Sequence, residues 1–167
     1  EDNNVSHFEE PCPYWEPEQT LEVTNALKID VTGGEQDCEF RIWKNIIDQK
    51  IVNIVQPDVM YMGGLTRSLK VARMAEEQNL LCTPHAANLS LVTICTMHFL
   101  KAIPNAGKYL ELSIEGEDYY PWQKNLFSND PFLVKDGEVE ISDSPGWGVE
   151  INKNWLNKAD YFVSEIE

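Results

Sequence analysis

Four carboxylates and one imidazole recur along this 167-residue chain at a nearly constant interval: Glu9, Glu35, Asp58, His85 and Glu111, separated by 26, 23, 27 and 26 positions. Brought to one place, the four acids would raise one another's pKa and cost desolvation energy, a conflict that a divalent cation resolves. Glu9 and Glu35 offer hard oxygen ligands of the kind Mg²⁺ takes, alongside retained waters and substrate oxygens. Zinc is disfavoured, because no second histidine or thiolate stands at the neighbouring positions. Asp58 and His85 form a second pair, in which a carboxylate bonded to one ring nitrogen fixes the tautomer and leaves the other for proton transfer. Glu111 is placed to exchange a hydrogen bond where charge develops, and the nearby Glu115 and Glu117 are alternatives to it.

Each of the five closes a short β-rich or apolar run: Val5 to Glu9, Lys28 to Glu35, Ile51 to Asp58, Leu80 to His85 and Tyr109 to Glu111. Between the runs lie helical patterns. Leu65 to Asn79 carries a stripe of Leu65, Leu69, Ala72 and Ala75, with Arg67, Lys70, Arg73, Glu76 and Glu77 turned to water. Glu39 to Gln49 and Leu91 to Ala102 are further helices. This βα rhythm specifies an α/β fold with a parallel sheet, and in a parallel barrel the carboxyl ends of the strands open onto one face, where the five residues would converge. Five units fall short of an eight-stranded barrel, so three strands are expected upstream of Glu1.

After Glu111 the chain turns aromatic, Pro-rich and acidic. Phe132 to Ile141, around Asp136-Gly137, predicts a hairpin with a two-residue turn, and Lys153 to Glu167 predicts surface helix or strand. The expected division is a barrel portion over residues 1–114 and an extension over 115–167 that packs on the barrel or on a capping domain.

Composition excludes other classes. The formal charge of −15 argues against a nucleic-acid partner, which needs a basic surface. No apolar run approaches the length of a membrane helix, and the four cysteines form no CxxC pair, so a reducing cytoplasm is expected. His7, His98 and the five tryptophans predict packing roles. Gly63-Gly64 is a loop signal without the continuation of a nucleotide fingerprint.

These residues resemble the enolase superfamily, specifically its mandelate racemase-like subgroup with its acid-sugar dehydratases. The likeness is carried by Phe8-Glu9-Glu10-Pro11, Gly33-Gly34-Glu35, Gln56-Pro57-Asp58, Thr83-Pro84-His85, Tyr109-Leu110-Glu111 and Pro145-Gly146-Trp147-Gly148-Val149. The resemblance implies strands four to eight of a (β/α)₇β TIM-like barrel, with Glu9 and Glu35 as the second and third of three Mg²⁺ ligands. It implies Asp58 and His85 as the catalytic dyad and Glu111 as a hydrogen-bond partner of the substrate carboxylate. The first metal ligand, an Asp, the Lys-x-Lys base of the second strand and the amino-terminal capping domain would lie upstream, so the chain alone is expected to be inactive.

The activity implied is Mg²⁺-dependent removal of the proton α to a carboxylate through an enediolate, with dehydration of an acid sugar to a 2-keto-3-deoxy acid as the outcome. Racemisation or epimerisation of a 2-hydroxy acid is the same-family alternative, and a non-catalytic binding or scaffold protein the alternative from another class. Lactonising and succinylbenzoate-synthase-like relatives place a lysine where the dyad would stand. The expected partners are a small-molecule carboxylate and further copies of the same chain, with neither nucleic acid nor membrane.

Overall fold

In the computed structural model, which describes residues 3–116 and 118–165, the chain divides into two compact units, Glu1–Ser113 and Ile114–Glu167. The first is built on four parallel strands, β1 (His7–Glu9), β2 (Asp30–Gly33), β3 (Ile54–Val55) and β4 (Leu81–Cys82), paired in chain order. Parallel neighbours need a crossover, and helices supply three: α1 (Pro17–Ala26), α2 (Phe40–Asp48) and α3 (Leu65–Glu77). A fourth helix, α4 (Leu91–Ala102), follows β4, and its first turn is capped by the Ser90 hydroxyl, which accepts from the Val92 amide. Register is continuous across the sheet, with Glu9 beside Thr32, Thr32 beside Ile54 and Ile54 beside Leu81.

The helices follow their apolar spacing. In α2, Trp43, Ile46 and Ile47 are buried; in α3, Val71, Ala72 and Ala75 are buried while Leu65 and Leu69 pack against the same core. That core runs through Val31, Val55, Cys82 and Phe99. Arg67 departs from its expected place in water: its guanidinium donates to the carbonyls of Met62 (2.6 Å) and Cys38 (2.8 Å) and lies over the Phe40 ring. It braces the loop after β3 against the loop after β2.

The expected fifth strand, Tyr109 to Glu111, does not form. Among the described residues only one parallel bridge, Cys82 to Ala106, continues the sheet, with the Cys82 amide bonded to the Asn105 carbonyl and the Gly107 amide to the Cys82 carbonyl. Pro84 has no N–H to carry the ladder onward, so the chain beyond Gly107 runs as coil. The Asn105 side chain pins this segment instead, donating to the carbonyls of Ala72 and Leu80. Gly107 tolerates no side chain, since a Cβ there would stand 1.8 Å from the Thr83 hydroxyl.

In the second unit, β5 (Val134–Lys135) and β6 (Glu138–Val139) make the expected hairpin, with Asp136 and Gly137 at φ of 51° and 81° as a tight turn of that type requires. An isolated bridge joins Phe127 to Ile151, and the predicted tail begins with a short helix, α5 (Lys153–Leu156). Residues 1, 2, 117, 166 and 167 lie outside the described set, and with them Glu117, one alternative to Glu111, and the start and last residues of the chain's predicted ends. Among the described residues no helix is long and apolar enough to cross a membrane.

Candidate active site

Because all four strands run the same way, their carboxyl ends share one side of the sheet, and the chemistry-bearing residues sit there or in the loops just beyond. Glu9 is the last residue of β1, and Glu35 follows β2 by two positions. Gly34 makes the turn between the strand and Glu35 possible. Its φ is +106°, and a Cβ there would lie 2.5 Å from the indole of Trp43, which is wholly buried beneath the loop. The same indole N–H faces the Asp37 carbonyl at 2.9 Å and the Met62 sulfur at 3.1 Å, so it underpins the loops that carry Glu35 and Asp58 together.

Asp58 and His85 each follow a buried proline, Pro57 and Pro84, and are themselves 3% and 7% exposed. One Asp58 oxygen, Oδ1, accepts from the amides of Met60 (2.6 Å) and Tyr61 (2.8 Å), a turn that aspartate favours. The other, Oδ2, lies 2.7 Å from His85 Nδ1. With the carboxylate ionised, Nδ1 carries the hydrogen and Nε2 is the end turned outward. That nitrogen is 3.3 Å from Glu35 Oε2 and 4.0 Å from Glu111 Oε2. Glu111 is fixed in turn by the Ala86 amide, which donates to it at 2.8 Å.

The charges explain the protonation states. Burial would push Asp58 up, but the hydrogen bonds from His85, Tyr61 and Met60 outweigh it and hold the carboxyl below its ordinary value. Burial likewise opposes charge on His85, yet the Asp58 hydrogen bond and the charges of Glu111 and Glu35 raise it to about 9. Glu35 is raised to about 6, by burial first and then by Glu10, Glu9 and Glu111 against the pull of His85. Glu111 is raised by burial, and Glu9 and Asp58 add to it. Glu9 thus acts on both other glutamates through its charge.

Sequence reasoning passed over three neighbours. Gln36 bridges Glu10 and Glu35, donating to Glu10 Oε2 at 3.3 Å and Glu35 Oε1 at 3.1 Å. Asp37 is buried beside them and raised to about 6, by burial and then by Glu10. Tyr61 stacks on the His85 ring, centroids 6.3 Å apart. The tandem Glu9-Glu10 was the one sequence signal for the first two, and nothing in spacing singled out Tyr61. His7 is a packing residue by its contacts, near Ser6 Oγ at 3.1 Å and the Tyr109 ring.

Among the described residues no three His, Cys, Asp or Glu side chains are arranged to hold an ion between them. Two carboxylates, Glu9 and Glu35, nonetheless fit a hard dication as part of its ligand set: both are oxygen donors, and Glu35 is under a repulsion from its neighbours that a cation relieves.

A parallel α/β sheet with a buried Asp–His pair and clustered glutamates at its carboxyl rim defines the class: part of a parallel α/β barrel. The chain belongs to the enolase C-terminal domain-like family, whose model matches residues 1–155. A provisionally assigned racemase from Roseobacter denitrificans is 59% identical and superposes with a TM-score of 0.94, covering 99% of this chain and 45% of that one. A mandelate racemase/muconate lactonizing protein from Paracoccus denitrificans, complexed with magnesium, is 29% identical with a TM-score of 0.81, covering 94% of this chain and 41% of its own. A D-galactonate dehydratase from Xanthomonas campestris is 27% identical over 91% of this chain and 40% of its length. The chain therefore spans less than half the length of each of these relatives.

Proposed function

We propose that the intact protein removes the proton α to a carboxylate and eliminates water from an acid sugar, giving a 2-keto-3-deoxy acid, with His85 as the acid/base. The observation that carries this reading is the 2.7 Å contact of His85 Nδ1 with Asp58, which leaves Nε2 directed at the Glu35 and Glu111 carboxylates. The acid-sugar dehydratases among the relatives support the same reading.

Glu9 and Glu35 would hold Mg²⁺ with ligands from outside the described residues, and when bound the ion supplies positive charge that favours loss of the neighbouring proton. Asp58 keeps the imidazole in one tautomer and stabilises its charge. In its neutral form His85 takes the α-proton at Nε2 and then returns that proton to the departing β-hydroxyl. The Cα–H electron pair becomes the Cα–Cβ double bond, the Cβ–O bond breaks with its pair, and the protonated leaving group departs as water. Tautomerisation of the enol yields the keto acid. Glu111, held by the Ala86 amide, is placed to exchange a hydrogen bond at the substrate carboxylate end.

The test is a panel of aldonic and aldaric acids offered to the intact protein with Mg²⁺, following keto-acid formation. His85→Asn is expected to lower turnover by at least ~10²-fold. Keto-acid formation unaffected by that substitution removes His85 from the mechanism. Racemisation is the second reading, favoured by the racemase name of the Paracoccus relative. It predicts solvent deuterium at the α-carbon without keto acid.

A further inference from the structure

We propose that Tyr61 is a positioning residue for the Asp58–His85 pair, an inference that rests on the reading of His85 as acid/base. Tyr61 reaches the pair twice. Its backbone N–H donates to Asp58 Oδ1 at 2.8 Å, and its ring lies beside the imidazole in an offset, near-parallel arrangement, centroids 6.3 Å apart and planes 24° from parallel. The Asp58 hydrogen bond fixes one edge of the imidazole but permits the ring to tilt about the Nδ1···Oδ2 line. A flat group alongside the ring limits that tilt and so fixes where Nε2 points.

The loop that presents Tyr61 is itself held. The Met62 amide donates to the Asp58 carbonyl (2.9 Å), the Gly64 amide to the Val59 carbonyl (2.8 Å), and Arg67 to the Met62 carbonyl. The tyrosine side of the stack is open: Tyr61 is 56% exposed where His85 is 7% exposed. It is therefore not a core residue, and its ring can be removed without opening the core.

The experiment compares the intact protein with Mg²⁺ against Tyr61→Phe, Tyr61→Ala and Tyr61→Leu, with His85→Asn as the reference. Read out are kcat, KM and the NMR signal of the His85 Nδ1–H. Phenylalanine keeps the flat ring and is expected within about twofold of the parent in kcat. Alanine and leucine are expected to lose roughly tenfold in kcat with KM within about twofold, the size of effect a small misplacement of a reacting group produces. Their Nδ1–H signal should broaden, while that of the phenylalanine variant should not. Should alanine fail to fold, leucine answers the question with its bulk retained.

Parent-like kcat in alanine and leucine, a phenylalanine loss as large as alanine's, or a change confined to KM overturns the proposal. If His85→Asn is inactive and Tyr61→Ala unchanged, only the positioning role falls. If His85→Asn is itself parent-like, the acid/base reading falls and takes this inference with it.

Discussion

Replacing Asp58 with asparagine tests the central pair with little change of shape. The carboxamide oxygen keeps the amides of Met60 and Tyr61, which sit 2.6 and 2.8 Å from Oδ1. The amide nitrogen then takes the place of Oδ2 and offers a donor to His85 Nδ1, so the neutral imidazole must carry its hydrogen on Nε2. Two consequences follow. The charge-assisted hydrogen bond to His85⁺ is lost, a contribution of roughly 1.5–3 kcal/mol, so the His85 pKa should fall from about 9 by about 1–2 pH units. Nε2 also presents a hydrogen in the neutral state, where a lone pair is needed to accept a proton, and turnover should fall about 10²–10⁴-fold. Both are measurable on the intact protein, by an NMR titration of the imidazole and by keto-acid formation with Mg²⁺ saturating. A variant within threefold of the parent, with an unmoved imidazole titration, would refute the pairing argument.

Glu35→Gln should weaken Mg²⁺ affinity and disable turnover, since a neutral carboxamide replaces one of two anionic ligands; calorimetry and the keto-acid assay check it, and survival of both properties rejects the ligand assignment. Gly34→Ala meets both a φ of +106° and the Trp43 ring at 2.5 Å, so about 2–4 kcal/mol should be lost in urea denaturation. An unchanged midpoint there would mean the loop rearranges freely. In the metal-free protein, His85 is raised from about 6.5 unfolded to about 9 folded, so its contribution is complete below pH 6.5 and lost as pH climbs through 9. The full effect is on the order of 3 kcal/mol, shared with Asp58 and not added to it, and denaturation at pH 6 and 9.5 should show a slope that His85→Asn flattens.

The sequence made the strand-end residues legible because parallel βα units repeat at a length set by one strand, one helix and two short loops. Glu35, Asp58, His85 and Glu111 come together around the imidazole on that ground. Helix α1 went unread: Leu21 and Val23 give it little apolar stripe, and Pro17 at its first turn was the cue. Tyr109 to Glu111 has the composition of a strand, but composition does not show that Pro84 ends the ladder it would join. Arg67 looked like a solvent cation because sequence does not reveal which carbonyls a neighbouring loop leaves open. How far the proton affinity of His85 is raised was not legible for a similar reason, since it depends on Asp58 and then on two glutamates brought near from other segments.

The buried indole under two loops has a practical meaning for anyone reshaping this scaffold. Trp43 ties Asp37 to Met62 from below while Arg67 ties Cys38 to Met62 from the side, so these loops behave as one masonry block. Libraries that vary Gly34, Trp43, Met62 or Arg67 would shift two arms of the centre at once. Diversity aimed at new substrates is better spent on exposed neighbours such as Met60, which no such brace engages through its side chain among the described residues.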